Sequence, residues 1–166
     1  MTITIKEDGV RFGVRVGAII FNKDCTKIFM QRQGEHDYYM FPGGRLEILE
    51  DTKTAIQREL FEELGIEENI TLKIIAESFI NFPKGKYHEL GYYFVTQIDE
   101  TKYNYLDGTE YDSLDEENDG KSKFKWIFIN DLVKYNIMPN FLKEKLVTNN
   151  LLLDDNIEHL IYKEFE

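Results

Sequence analysis

Residues 43–66, GGRLEILEDTKTAIQRELFEELGI, decide the fold of this 166-residue chain. Asp51 has the side chain of a helix N-cap, and Gly65 stands where a left-handed residue commonly ends a helix. The residues between them are mostly good helix formers, so the stretch predicts a helix between Asp51 and Gly65. Gly43 and Gly44 come before it and permit a close backbone approach or a positive φ. We therefore expect a glycine turn that leads into a helix.

Three glutamates of the predicted helix lie on one side of it. At roughly 100° per residue, Glu59, Glu62 and Glu63 fall within about a third of the helix circumference. Like charges three and four residues apart destabilise a helix, so a cation is expected between them. Arg58 neutralises only part of this charge, and carboxylate oxygens suit Mg²⁺ or Mn²⁺. An isolated acidic pattern of this kind would instead favour a solvated helix face. The neighbouring apolar stripe, which we expect to face the core, consists of Ile56, Leu60 and Leu64.

The residues before the helix offer further ligands. The loop at Gly43 and Gly44 could present a main-chain carbonyl to a metal ion, or its amides to a phosphate. Glu47 and Glu50 lie on the connection between this loop and the helix. They are candidates for supporting the metal ligands.

The rest of the chain predicts strands on both sides of this helix and a second helix near the end. Residues 12–21 are apolar on both faces in their second half, which is typical of a central strand. Residues 154–165 fit either a helix or a final strand. The whole order indicates a mixed α/β domain. The other predicted elements are strands at residues 27–33, 71–80, 90–98 and 124–129, and a helix at residues 140–148.

The charge of the chain excludes some partners. Its 31 acidic and 20 basic residues give a formal net charge of −11, so nucleic-acid polymers and anionic membranes would be repelled at long range. Cys25 is the only cysteine, which fits a reducing compartment, and no apolar run is long enough to span a membrane. These features predict one cytoplasmic domain over residues 1–166, with no nucleic-acid polymer and no membrane as partner. Residues 99–120 carry nine acids and one base and predict a loop.

The spacing of the glycine turn and the helix matches a known motif at every fixed position. Gly44 is followed after five residues by Glu50, and after seven more by RELFEELGI at residues 58–66. In this spacing the chain resembles the Nudix hydrolases, whose defining motif is the Nudix box.

The flanks of the motif strengthen the resemblance. Residues 41–44, Phe-Pro-Gly-Gly, are similar to the Pro-Gly-Gly that ends a strand in this family. Tyr39 stands where many members have tryptophan, and the strand around Trp126 resembles the family's C-terminal pattern. Leu49 departs from the glycine that is often found at its position, which lies outside the fixed pattern.

The resemblance implies a fold and a reaction. The fold is an α/β/α sandwich around a mixed β-sheet. The reaction is hydrolysis of a small nucleotide, a nucleoside diphosphate linked to another moiety, by attack of water on phosphorus. Mg²⁺, or Mn²⁺ in its place, is the implied cofactor.

Matching positions also imply the metal ligands. Glu59, Glu62 and Glu63 would bind the metal together with one backbone carbonyl. This carbonyl would belong to Gly43 or to Gly44.

The implied catalytic residues are Glu59, Arg58 and Glu62. Arg58 would orient Glu59 or its neighbours through a charge-assisted hydrogen bond. Glu59, or an acid from outside the motif, would take the proton of the attacking water. Glu50 would be a further ligand or, with Glu47, a support for the ligands.

Substrate selection depends on residues outside the motif. Glu89, His88 and Tyr39 are candidates for an extra carboxylate or a substrate contact, although each has an ordinary structural alternative. Other aromatic side chains could stack a base, and cations could bind phosphates. The aromatic candidates are Tyr38, Tyr39, Phe82, Tyr87 and Tyr92. The cationic candidates are Arg11, Arg15, Arg32, Lys84 and Lys86.

Two other functions fit the same resemblance. Isopentenyl diphosphate isomerisation reuses the fold but needs a catalytic cysteine in a different context from Cys25. A nucleotide-sensing module would bind without cleaving, and such modules typically lose one or more of the motif's carboxylates. The intact motif of this chain favours catalysis. A homodimer is allowed for, because many relatives are dimers.

Overall fold

The chain forms a mixed β-sheet with α-helices on its faces, as seen in a computed structural model that describes residues 1–83, 85–116, 121–148, 151 and 155–165. The first strands are β1 (Thr4–Glu7), β2 (Val10–Phe21), β3 (Lys27–Gln33), β4 (Tyr39–Met40) and β5 (Gly43–Arg45). Helix α1 (Thr52–Leu64) follows, and then β6 (Thr71–Phe82), β7 (Gly85–Gln97), β8 (Tyr111–Asp112) and β9 (Ser122–Phe128). A 3-10 helix (Ile129–Lys134), β10 (Ile137–Met138), α2 (Asn140–Thr148) and β11 (Glu158–Phe165) complete the order.

The sheet is built around β2. This strand pairs in parallel with β7 along its whole length, from Val10 opposite Lys86 to Phe21 opposite Gln97. Beyond β7 the sheet continues with β6, which is antiparallel to β7, and with β11, which is parallel to β6. On its other side β2 pairs antiparallel with β1, β5 and β3, and β3 pairs with β4 and β9. The predicted mixed sheet is confirmed.

Each face of β2 belongs to a different core. Because side chains alternate along a strand, Val14, Val16 and Ile20 lie on one face, where they pack with the apolar stripe of α1. Ile19 lies on the other face and belongs to the core that contains Leu142 of α2. Burial on both faces explains the continuous apolar run in the second half of β2. The α/β/α sandwich implied by the resemblance is therefore the fold of the chain.

Both helices have the predicted positions. Asp51 caps α1, because its carboxylate accepts hydrogen bonds from the amides of Lys53 and Thr54, both over 3.0 Å. Gly65 ends α1 in the left-handed region with a φ of 64°. Within the described ranges, no helix has the length and apolar character needed to cross a membrane.

The strands differ from the sequence prediction in several places. The short strands β1, β4, β8 and β10 were not predicted, and β5 forms where a glycine turn was expected. β7 begins at Gly85 instead of residue 90. The backbone of its polar first residues pairs with both β2 and β6, so this part of the strand forms without an apolar sequence pattern. The undecided segment 154–165 forms β11 from Glu158, where its backbone pairs in parallel with β6. Residue 154 itself lies outside the described residues. Pairing with a distant strand determines both outcomes, and local pattern does not report it.

The acidic segment after β7 packs onto the end of α1. The buried Tyr105 donates from its hydroxyl to the carbonyl oxygen of Leu64 over 2.7 Å. Trp126 Nε1 donates to the carbonyl oxygen of Tyr105 over 2.7 Å, and the Leu114 amide donates to the carbonyl oxygen of Glu63 over 2.8 Å. Residues 99–116 are loop apart from β8, as predicted, and residues 117–120 lie outside the described part of the chain. The loop is thus fixed to the helix that carries the glutamates.

Replacement of Asp51 by Ala is expected to lower the free energy of unfolding by about 1 kcal/mol, because two amides of the first helical turn lose their acceptor. Urea denaturation followed by circular dichroism measures this change. Lys53→Ala, in the same exposed turn, is the matched control and should have a much smaller effect. Equal losses in the two variants would contradict the capping role.

Candidate active site

Arg58 is the centre of a network of carboxylates. Its Nε and Nη2 atoms donate to the two oxygens of Glu50 over 2.8 and 3.1 Å. Its Nη1 atom donates to Glu59 Oε1 over 3.0 Å and to Glu62 Oε2 over 3.2 Å. The hydrogen bond from Arg58 holds the pKa of Glu50 below its ordinary value, and the bonds to Glu50 raise the pKa of Arg58. Arg58 therefore fixes the turn at Glu50 and the carboxylate of Glu59 relative to each other.

Glu59 lies directly against the glycine turn. A Cβ atom at Gly44 would be 2.2 Å from Glu59 Oε1 and 2.6 Å from Glu59 Oε2, so glycine leaves the room that this carboxylate occupies. Gly43 has a φ of 142°, and a Cβ atom there would be 2.2 Å from the carbonyl oxygen of Val16. Close approach thus requires both glycines, Gly43 against β2 and Gly44 against α1. β5 pairs with β2 here, which anchors the turn to the centre of the sheet.

Glu63 is a buried carboxylate at the edge of the core. It is 6% exposed, and Gln31 Nε2 donates to its Oε1 over 3.2 Å. The pKa of Glu63 is raised to about 8, first by burial and next by the charge of Glu59. Burial also raises the pKa of Glu59, against the opposing charge of Arg58. The site therefore contains two neighbouring carboxylates whose ionised forms are disfavoured without a further cation.

The acidic loop contributes to the electrostatics of this site. The negative charge of Asp115 is another factor that raises the pKa of Glu63. Leu114, next to it, is the residue whose amide binds the carbonyl oxygen of Glu63. The segment that the sequence predicts as an acidic excursion thus lies next to the glutamates of α1.

The remaining carboxylates of the motif are more exposed. The Glu62 side chain is 49% exposed and contacts Arg58 from the surface of α1. Glu47 lies on the surface, where one of its oxygens is 3.6 Å from the amino group of Met1. Its amide donates to Glu50 Oε2 over 3.2 Å, so Glu47 supports Glu50 through its backbone.

The donor chemistry of the site fits a hard divalent cation. Its side-chain donors are carboxylate oxygens, which such ions prefer. The ionised forms of the partly buried Glu59 and the buried Glu63 need positive charge nearby. Among the described residues, no three Asp, Glu, His or Cys side chains are arranged so that they could hold one ion. Arg58 holds Glu59 and Glu62 by hydrogen bonds. Coordination by all three helix glutamates would require the half-exposed Glu62 to leave Arg58.

Leu49 has an unusual backbone conformation next to the site. Its φ of 67° lies in the left-handed region, and its side chain is fully exposed. A left-handed conformation costs an L residue roughly 1–2 kcal/mol, whereas glycine adopts it freely. This conformation explains why glycine suits the position, and the leucine adopts it all the same.

Glu89 and His88 point to opposite faces of β7. Glu89 lies 3.1 Å from Arg45 Nη1 and accepts a hydrogen bond from the hydroxyl of Tyr87. His88 lies in an aromatic row, with its ring centroid 5.1 Å from that of Phe12 and 4.3 Å from that of Phe79. The row provides a structural role for His88, whereas Glu89 belongs to a polar cluster.

Tyr39, the first residue of β4, packs in a cluster with Tyr135 and Lys125. Its ring is 5.5 Å from that of Tyr135, and Lys125 Nζ lies 4.9 Å from the Tyr39 ring centroid. Arg32, one of the cationic candidates, forms an ion pair with Glu110 over 3.3 Å. Lys84 lies outside the described residues.

Gln31 and Arg45 are two residues near the site that the sequence pattern does not indicate. Gln31 is fully buried, but it begins the polar end of the strand KIFMQRQ, so no local signal separates it from its polar neighbours. Arg45 directly follows the glycine turn, but only the fold shows that it meets Glu89. Both contacts join residues that are far apart in the chain.

Comparisons with known proteins identify the family of this chain. The family model described as the NUDIX domain matches residues 11–146. An RNA pyrophosphohydrolase of Aeromonas hydrophila is 32% identical over 76 residues, which are 45% of this chain and 43% of that protein. An RNA pyrophosphohydrolase of Hamiltonella defensa is 39% identical over 62 residues, or 37% of this chain and 36% of that protein. The chain thus spans less than half the length of these curated relatives.

Solved structures share the fold. The mutator MutT protein from Bacillus halodurans superimposes with a TM-score of 0.67 at 16% identity, covering 91% of this chain and 89% of that one. The MutT NUDIX hydrolase from Burkholderia pseudomallei gives a TM-score of 0.59 at 22% identity, covering 82% of this chain and 98% of that one. At these identities the likeness shows the fold alone.

In the metal-free protein, Glu63→Gln is expected to change how stability depends on pH. The pKa of Glu63 is about 8 in the folded chain and lower in the unfolded chain, so its contribution to stability is lost as pH rises through that interval. Glutamine does not ionise, so the variant should gain stability relative to the wild type between about pH 5 and about pH 8. Urea denaturation in EDTA across this range, with Glu67→Gln as control, measures the effect. The same pH dependence in both proteins would contradict the burial argument.

Leu49→Gly is expected to raise the free energy of unfolding by about 0.5–1 kcal/mol, because relief of the left-handed strain exceeds the entropic cost of glycine. Ile48→Gly is the matched control. Ile48 is also partly exposed but has an ordinary φ, so glycine should destabilise the chain there. Urea denaturation compares the two, and a loss of stability in both would show that Leu49 is not strained.

Proposed function

This chain belongs to the NUDIX domain family, and we propose that it is a divalent-metal-dependent pyrophosphohydrolase. Its reaction is hydrolysis of a phosphoanhydride bond in a nucleoside diphosphate linked to another moiety, by attack of water on phosphorus. The observation that carries the proposal is the intact arrangement around Arg58, which joins Glu50, Glu59 and Glu62 beside the buried Glu63. The alternative, a binding module without catalysis, has no specific observation in its favour.

The proposed metal ligands are Glu59, Glu62 and Glu63, together with the carbonyl oxygen of Gly43. When bound, Mg²⁺ or Mn²⁺ would screen the charge of the diphosphate and acidify a bound water. The burial of Glu63 supports this assignment, because an ionised carboxylate in an apolar environment needs a compensating cation. Glu50, held by Nε and Nη2 of Arg58, supports the set from the turn.

Glu59 is the proposed general base. Its Oε1 accepts from Arg58 Nη1, and its Oε2 has no hydrogen bond among the residues that the structure describes. Burial raises the pKa of Glu59, which brings it closer to the range in which a carboxylate takes up a proton efficiently. Arg58 holds the carboxylate against Gly44, so the free oxygen has one fixed direction.

The class of nucleotide is the next question for experiment. Relatives named RNA pyrophosphohydrolase match this chain over less than half of their length. Because of their name, an RNA with a pyrophosphate-bearing 5′ end is included in the test. The panel should also include nucleoside triphosphates, ADP-ribose, dinucleoside polyphosphates and nucleotide sugars. Release of phosphate after phosphatase coupling, with Mg²⁺, with Mn²⁺ and with EDTA, reports turnover. Metal-dependent turnover of at least one compound is expected. If no compound is turned over, the result would support the binding module instead.

Glu59→Gln and Glu62→Gln are each expected to lower kcat at least about 100-fold, the scale of losing one group that stabilises the transition state. Each change replaces a carboxylate by an amide of the same shape, so the fold should be kept. Glu67→Gln, an exposed glutamate just after α1, is the matched control and should leave kcat unchanged. Thermal melting checks the fold of each variant. Near-normal turnover in Glu59→Gln or Glu62→Gln would overturn the role of that residue.

A further inference from the structure

Arginine side chains form a row on the face of the sheet that lies opposite α1. Arg11, Gly13 and Arg15 occupy alternate positions of β2 and therefore share a face. Val14 and Val16, on the other face, pack with α1. Arg45 of β5 pairs with Arg15 in register, which places its side chain on the same face as Arg15.

The guanidinium of Arg45 crosses β2 at Gly13. A Cβ atom at Gly13 would be 2.3 Å from Arg45 Nη1, so the missing side chain makes room for the arginine. Arg45 Nη2 donates to the hydroxyl of Tyr87 over 2.9 Å, and Nη1 lies 3.1 Å from Glu89 Oε2. Arg45 is thus held in place, and its Nη1 is buried without a hydrogen bond.

Arg11 continues the row beyond Arg45. Its guanidinium carbon lies 5.6 Å from the ring centroid of Tyr87, and that of Arg45 lies 6.0 Å from the same ring. Two like charges therefore share one aromatic ring, and Glu89 offsets one of them. Lys6 and Arg11 form no ion pair with the residues that the structure describes. These side chains line a cavity of about 530 Å³, whose lining consists of Thr2, Thr4, Lys6, Arg11 and Arg45.

The other end of the row reaches the candidate active site. Arg15 Nη2 donates to the carbonyl oxygen of Phe41 over 3.1 Å and to that of Gly43 over 3.5 Å. Gly44, the next residue, lies against Glu59. The row of arginines thus leads from the cavity to the glycine turn, in a chain whose net charge is −11.

We propose that Arg11, Arg45 and Arg15 form a binding track for an oligophosphate chain, the part of the substrate that extends beyond the scissile bond. Guanidinium groups bind phosphate oxygens in a planar, two-pronged geometry. Alternate residues of a strand are about 6.8 Å apart, so a ligand that meets the whole row carries more than one anionic group. The direction of the substrate along the track rests on the proposed function, but the binding of phosphates does not.

The test is isothermal titration calorimetry of inorganic tripolyphosphate into the full chain in the presence of EDTA. Binding to the wild type is expected, and Arg11→Gln and Arg45→Gln should each weaken it at least about tenfold. Gly13→Ala keeps every charge but displaces the guanidinium of Arg45, so it should also weaken binding. Lys86→Gln removes an exposed cation on the opposite face of β7 and is the matched control, with no change expected.

The outcomes separate this inference from the proposed function, because the titration requires no turnover. Failure of the wild type to bind tripolyphosphate, or equal affinity in Arg11→Gln and the wild type, overturns the track. Arg11 is exposed, so its replacement tests the track without a risk to folding. A chain that binds tripolyphosphate through these arginines but hydrolyses no nucleotide keeps the track and overturns the proposed function.

Discussion

The burial of the Glu63 carboxylate between α1 and the sheet is the constraint on which the candidate site depends. A carboxylate in this position is costly unless it is protonated, hydrogen-bonded or compensated by a cation. Gln31 supplies a hydrogen bond, and Arg58 offsets the neighbouring Glu59 without contacting every carboxylate. The chain thus holds an ionisable carboxyl group where an apolar side chain would be more stable. Such a cost is typical of functional sites, and here it supports the proposed binding of a divalent cation.

The two faces of β2 have different roles in the molecule. One face, with Val14 and Val16, packs against α1 and so fixes the helix that carries the glutamates. The other face carries the arginines towards the glycine turn. Arg15 from one side and Glu59 of α1 from the other both reach Gly43 and Gly44, where β5 pairs with β2. The alternation of a single strand therefore connects the helix that carries the glutamates with a cationic surface.

Local signals were sufficient to predict the helix and its glutamates. Asp51 and Gly65 mark the ends of α1 through their own side chains and backbone, and the motif spacing pointed to the family. Contacts between distant segments could not be predicted in this way. Arg11 and Arg15 were two of several candidate cations, and nothing in the sequence separated them from Lys86, which the fold places on the opposite face. The net charge of −11 also concealed the arginine row, because a total reports no positions.

Binding of Mn²⁺ shows whether the glutamates of α1 form a metal site. Electron paramagnetic resonance can follow a titration of the ion into the wild type, Glu59→Gln, Glu63→Gln and the control Glu67→Gln. We expect the wild type and the control to bind Mn²⁺ alike, and the loss of either site carboxylate to weaken binding at least about tenfold. Equal affinity in all four proteins would contradict the claim that Glu59 and Glu63 form a metal site.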